Sequence, residues 1–298
     1  MPDRCHPVIL LIRLLQVLST MSHNEYPVPP PSYGSATPSP KTNNYRDQAR
    51  DPLLGGTSSG GAFFDQPEAG DVPDDFKYGT TVSESSSEIR NAFVRKVYTI
   101  LFCQIFATCL VAGGISRSES AIFWVVTHTW SFYVPLFGTL INLGLLYWKR
   151  HDHPLNFVFL STFTVLEAFT LGVTVAFFDT NIVLQALLIT LGVFLGLTLF
   201  TFQSKYDFSG LGPWLFGGLV ALLMTGIVGM FIPFGRTMDL IYAAGGCLIF
   251  SGYIVYDTYM INAKLSPDEY IMGAISLYLD FINLFISILR LLNDLQER

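Results

Sequence analysis

From Val97 onward, long apolar runs alternate with short polar breaks. The runs cover residues 97–115, 130–148, 155–178, 181–202, 211–232, 239–260 and 270–292. Each is close to the roughly 20 residues that a helix needs to cross the hydrocarbon of a bilayer. Seven spanning helices are predicted, with short connections that make sequence neighbours antiparallel in one bundle. Residues 121–129, AIFWVVTHT, are also apolar, and read either as an interfacial piece or as an extension of the second span.

The last run departs from uniform apolarity in a regular way. Ser276, Asp280, Asn283, Ser287, Arg290 and Asp294 follow one another at steps of four, three, four, three and four. That spacing is one face of a helix. A polar stripe in lipid has to turn towards protein or water, so the last helix is expected inside the bundle, ringed by the others. The preceding run carries Asp257 in GYIVYDT, and the short turn NAKLSPDE lets the two helices pack side by side. Asp257 and Asp280 can then meet, if their depths match. Two close carboxylates share a proton and titrate as a unit. Their oxygens also suit a hard cation such as Ca²⁺. The expectation is a pH-dependent cation path with Asp257 and Asp280 as transient ligands, flanked by Ser276 and Asn283, and without a resident cofactor.

Glu167, with Thr164, Thr170 and Thr174 on a similar face of the third span, is expected to line the same cavity. Arg150 ends the second span. It reads either as an anchor at the membrane surface or as a counter-ion that reaches Asp257.

Composition supports the membrane reading: 51% of the residues are hydrophobic and 13% charged, against about 25% charged in a soluble domain. The net charge of −6 is concentrated in residues 1–89, which hold eleven Asp and Glu against six Lys and Arg. No basic patch exists, so nucleic acid is not an expected partner. The four cysteines form no CxxC pair and read as small buried hydrophobes.

Residues 1–89 are read as a tail before a membrane domain at 90–298. Within 22–89, rich in Pro, Gly and Ser, too little apolar surface is available to offset chain entropy, so disorder is expected. Pro30, Pro31, Ser32 and Tyr33 match P-P-x-Y, a polyproline turn followed by a Tyr that fits the groove of a WW domain. Such domains occur in ubiquitin ligases. The opening run, MPDRCHPVILLIRLLQVLSTM, is too short to span and reads as an upstream extension, with Met21 as the working start. Lys and Arg beside the spans divide seven to four in favour of the side carrying Arg90, Lys149, Lys205 and Lys264, which puts the N-terminal tail in the cytosol. The C-terminus lies across the membrane if the last segment spans, and on the same side if it re-enters.

DDFKYG, RHDHPLN, FTVLEAFT, GYIVYDT and LSPDEYIMGAISLYLDFINLFISILRLL occur in an order that resembles the transmembrane Bax inhibitor motif, or Lifeguard, family, nearest its Golgi anti-apoptotic branch. The resemblance covers about residues 74–292. It implies six helices around a central seventh, a Ca²⁺ leak across endomembranes (ER, Golgi or vacuole), and a restraint on cell death that involves cell-death regulators. It also implies a pH-sensing pair at Asp257 and Asp280, latched by Arg150, with Asp268 in the last loop affecting ion passage. Tyr259 departs from the family pattern and is expected to alter contacts beside Asp257.

Two other readings fit part of this pattern. An intramembrane aspartyl protease shares Tyr-Asp on its sixth helix, but Tyr278-Leu279-Asp280 is not G-x-G-D, and an enzyme is not expected. A non-conducting scaffold that recruits ligases through its PPSY motif is the stronger alternative.

Overall fold

The computed structural model describes residues 81–296 apart from 84, 129, 151, 233 and 234, together with residues 11, 13, 14, 16 and 17. Among the described residues no strand occurs. The helices are α1 (Ser87–Arg117), α2 (Glu119–Thr127), α3 (Trp130–Trp148), α4 (Leu155–Val175), α5 (Thr180–Gln203), α6 (Gly212–Phe231), α7 (Arg236–Ala263) and α8 (Tyr270–Gln296). A 3₁₀ turn, Ser209–Leu211, leads into α6.

Helix starts follow local chemistry. The side chains of Ser86, Ser118 and Asp179 accept hydrogen bonds from the backbone N–H groups of Ile89, Ala121 and Asn181, which have no partner within their own helices. The AIFWVVTHT stretch is a separate short helix, α2, and does not extend α3. Among the described residues, six helices are long and apolar enough to cross a membrane: α1, α4, α5, α6 with its 3₁₀ turn, α7 and α8. The remaining expected span forms α3, whose apolar stretch, Tyr133–Trp148, is shorter than the other six.

α8 is the core. Every residue from Tyr270 to Leu289 is buried. Its apolar window is 100% buried, against 22% for α1 and for α6. It packs on α7, α5 and α1; α4 packs on α1 and α3, and α6 on α7. The outer helices turn Phe102, Leu110, Leu188, Leu199 and Trp214 outwards, as suits lipid, where an apolar exterior carries no penalty. The polar stripe of α8 therefore faces protein.

Helix approach is closest at particular glycines. A Cβ at Gly172 would lie 2.9 Å from the Ala112 backbone, whereas at Gly192 and Gly196, four residues apart on α5, nothing lies within 4 Å. That face of α5 meets no neighbouring helix among the described residues.

The opening run is not a bystander. Leu11, Arg13, Leu14, Gln16 and Val17 are helical; Val17 belongs to the core and Leu11 and Leu14 pack against it. The reading of this run as a dispensable extension is corrected. Leu11, Leu14 and Val17 recur at helical spacing and form an apolar face that gains by covering. Residues 18–80, with Pro30, Pro31 and Tyr33, lie outside the described residues. Before α1, buried Val82 donates its N–H to the Leu265 carbonyl at 2.9 Å, which ties this stretch to the α7–α8 turn.

Candidate functional site

α7 and α8 bring Asp257 and Asp280 together. α7 runs to Ala263, three residues past its expected end, so Asp257 lies six residues inside its helix end and Asp280 ten inside the adjoining end of α8. At 1.5 Å per residue the depth difference is only about 6 Å. A guanidinium fills that gap, and it belongs to Arg13. Its Nη2 donates to Asp257 Oδ2 and lies 2.8 Å from Asp280 Oδ1. The same guanidinium sits 4.6 Å from the ring centre of Tyr253, one turn before Asp257. Three residues along the segment, Gln16 Nε2 donates to Ser276 Oγ at 2.6 Å, one turn before Asp280. Two polar residues of the N-terminal segment thus meet the polar faces of α7 and α8.

All these groups are withdrawn from solvent: Arg13 is 1% exposed, Asp280 0% and Asp257 8%. Both Asp280 oxygens lack a hydrogen-bond donor. With both acids ionised the triad has net charge −1; one proton makes it neutral. Asn283, one turn further along α8, is fully buried and donates to its own Leu279 carbonyl at 2.8 Å, while its Oδ1 has no donor.

Arg150 was expected at Asp257. The ion pair the structure gives it is instead with Glu269, at 3.6 Å, and its guanidinium lies 5.0 Å from the Tyr147 ring centre. The reason is position: Arg150 follows α3 and meets the entry to α8, not the polar stripe within it. The pair is partly exposed, so Arg150→Ala is expected to change stability by less than about 1 kcal/mol. A thermal melt checks this; a larger loss contradicts the surface-pair assignment.

Glu167 does not join the pair. It is buried beside Tyr278, whose hydroxyl is 2.8 Å from Thr108 Oγ1. Gln104 donates to Thr164 at 3.1 Å in the same α1–α4 interface. Tyr278 precedes Asp280 by two residues, about 200° round the helix, so α8 itself separates Glu167 from the aspartates. Asp268 lies in the α7–α8 turn and interacts with Lys96, whose Nζ sits 3.2 Å from the Tyr270 ring centre. Tyr259 points away from Asp257. It joins Ser209 in hydrogen bonding to Asp207 in the α5–α6 turn, and these bonds, those from Ser209 foremost, hold the Asp207 carboxyl down at about 2.

Among the described residues no group of three or more His, Cys, Asp or Glu gathers to hold a metal. Arg13 and Gln16 were missed from the sequence. The available signal was an arginine inside an apolar helix, since an ionisable residue in such a setting marks a site by default.

Residues 90–297 match the family model described as inhibitor of apoptosis-promoting Bax1; Arg13 lies outside that range. The chain is 47% identical over 224 residues to Bax inhibitor 1 of Schizosaccharomyces pombe, covering 75% of this chain and 84% of the relative. It is 41% identical over 221 residues to the Golgi anti-apoptotic protein of vaccinia virus strain Lister, covering 74% and 93%. It is 40% identical over 227 residues to protein lifeguard 4 of Mus musculus, covering 76% and 95%. With its long apolar helices packed round a buried eighth and a family match over most of its length, the chain is an integral membrane protein and belongs to the Bax inhibitor, or Lifeguard, family.

Proposed function

We propose that the protein is a pH-sensitive Ca²⁺ leak of an endomembrane, which lowers stored calcium and so restrains cell death. The observation that carries this reading is the meeting of Asp257 and Asp280 on adjacent helices inside the bundle, with a guanidinium between them. A buried charged triad is weak evidence for stability, because taking three charges out of water costs as much as their attraction returns. A working site accounts for its presence better. Protonating both carboxyls removes the charges that hold Arg13, so acid favours the open form; ionised carboxylates and the guanidinium keep the form closed. Among the described residues, the titratable groups that face one another here are Arg13, Asp257, Asp280 and the Tyr253 hydroxyl, with Tyr256 beside Tyr253. Ca²⁺ as cargo rests on the chemistry of carboxylate oxygens and on the family resemblance. The endomembrane rests on a relative named for the Golgi. The excess of Lys and Arg beside one set of helix ends favours a cytosolic N-terminal tail.

The test is Ca²⁺ flux from liposomes holding the purified full chain, stepped through pH. Flux is expected to rise as pH falls, and Asp280→Asn to flatten that dependence. Pure protein that passes no Ca²⁺ rejects the leak. In that case the Pro30–Pro31–Ser32–Tyr33 motif favours a second reading, a non-conducting regulator that recruits a WW-domain ubiquitin ligase.

A further inference from the structure

The helical segment around Arg13 is joined to the site only through space. Arg13 and Asp257 are 244 residues apart in the chain, and the segment precedes the range that matches the family, which begins at residue 90. The bundle's acids thus belong to the family domain, while their cation comes from outside it. Among the described residues, Arg13 and Gln16 meet the bundle from the segment's polar side, and Leu11, Leu14 and Val17 from its apolar side.

The site is also poorly completed for a permanent one. Arg13 Nε, both Asp280 oxygens, Asn283 Oδ1 and the Tyr253 hydroxyl are buried without a hydrogen-bond partner. A fixed buried polar network satisfies nearly all of its members, because each lone donor or acceptor in a low dielectric costs free energy. Groups left wanting beside a guanidinium suit a place that exchanges its occupant for water or a hydrated cation.

We propose that this segment is a removable intramolecular ligand of the acidic site, a tethered guanidinium seated where a passing cation's charge would sit. The proposal rests on reading Asp257 and Asp280 as a cation site. Occupied, the place has one of its two carboxylate charges offset and is closed. Vacated, two carboxylates and the Ser276 and Asn283 side chains face the opening.

The test uses the full chain in liposomes, with Cys5, Cys103, Cys109 and Cys247 replaced by Ala and Gln16→Cys introduced. Labelling of the residue-16 thiol by a water-soluble maleimide reads departure of the segment. Arg13→Gln is expected to speed labelling about tenfold, since it removes a charged hydrogen bond, and to raise Ca²⁺ flux at the same pH. A second variant keeps Arg13 and adds Ser276→Cys. A short reducible cross-linker between residues 16 and 276 is expected to stop flux, and reductant to restore it. Equal labelling with and without Arg13, or a measurable flux that is the same with the cross-link made and broken, overturns the proposal. So does loss of cooperative melting in Arg13→Gln, which marks the segment as a fixed part of the fold. Faster labelling with no flux from any variant upholds the removable ligand and defeats the ion route instead.

Discussion

Arg13→Ala is expected to lower the stability of the folded chain by about 3–5 kcal/mol, the usual effect of removing one side of a buried ion pair. The variant leaves two carboxylates, 0% and 8% exposed, facing each other without a cation. Adding Asp280→Asn should restore most of the loss, because a single carboxylate then remains beside an amide that can donate a hydrogen bond to it. Entry of water after the segment leaves brings the loss towards the lower end of the range. Denaturation in detergent, followed by tryptophan fluorescence on the two single variants and the double, measures the coupling. Additive effects of the two substitutions would mean that Arg13 and Asp280 do not interact, and the site described here would not exist in solution.

The second large effect is steric. Gly172→Ala sets a methyl group 2.9 Å from the Ala112 Cα and 3.1 Å from the Ile115 Cβ. The first obstacle is backbone, so no rotamer change relieves it, and α1 and α4 must separate. A loss of about 1–3 kcal/mol is expected, the range for forcing extra volume into a packed interior. In lipid close packing is a main source of helix association, so little else compensates. Gly192→Ala is the control: it meets open space and should hold or slightly raise stability through better helix propensity. Two variants melting together would place α1 and α4 further apart than the structure does.

Much of this architecture was legible locally. The span expected at 181–202 is the helix Thr180–Gln203, and the one at 211–232 corresponds to Gly212–Phe231, because twenty apolar residues without a breaker have one stable form in a bilayer. The steps of four and three from Ser276 to Asp294 identified α8 as interior, since a polar stripe cannot face lipid. In VILLIRLLQVL the arginine likewise calls for protein or a counter-charge, but a run too short to span carries no sign of the surface that covers it. Glu167 shows the limit of a face argument. Its spacing marks an inward-facing acid, but which side of α8 it meets depends on how α4 is placed round the bundle.

Hydropathy and helical period by themselves determined where the long apolar helices lie, which helix is central, and that two acids lie near each other inside it. Only the tertiary structure decided which cation they meet and which glycines let helices touch. The guanidinium comes from 244 residues away, and Gly172 meets a helix that begins at Ser87. Local spacing specifies the face a residue occupies on its own helix. It carries no information on which distant surface is brought against that face, because that choice is made by packing of the whole bundle.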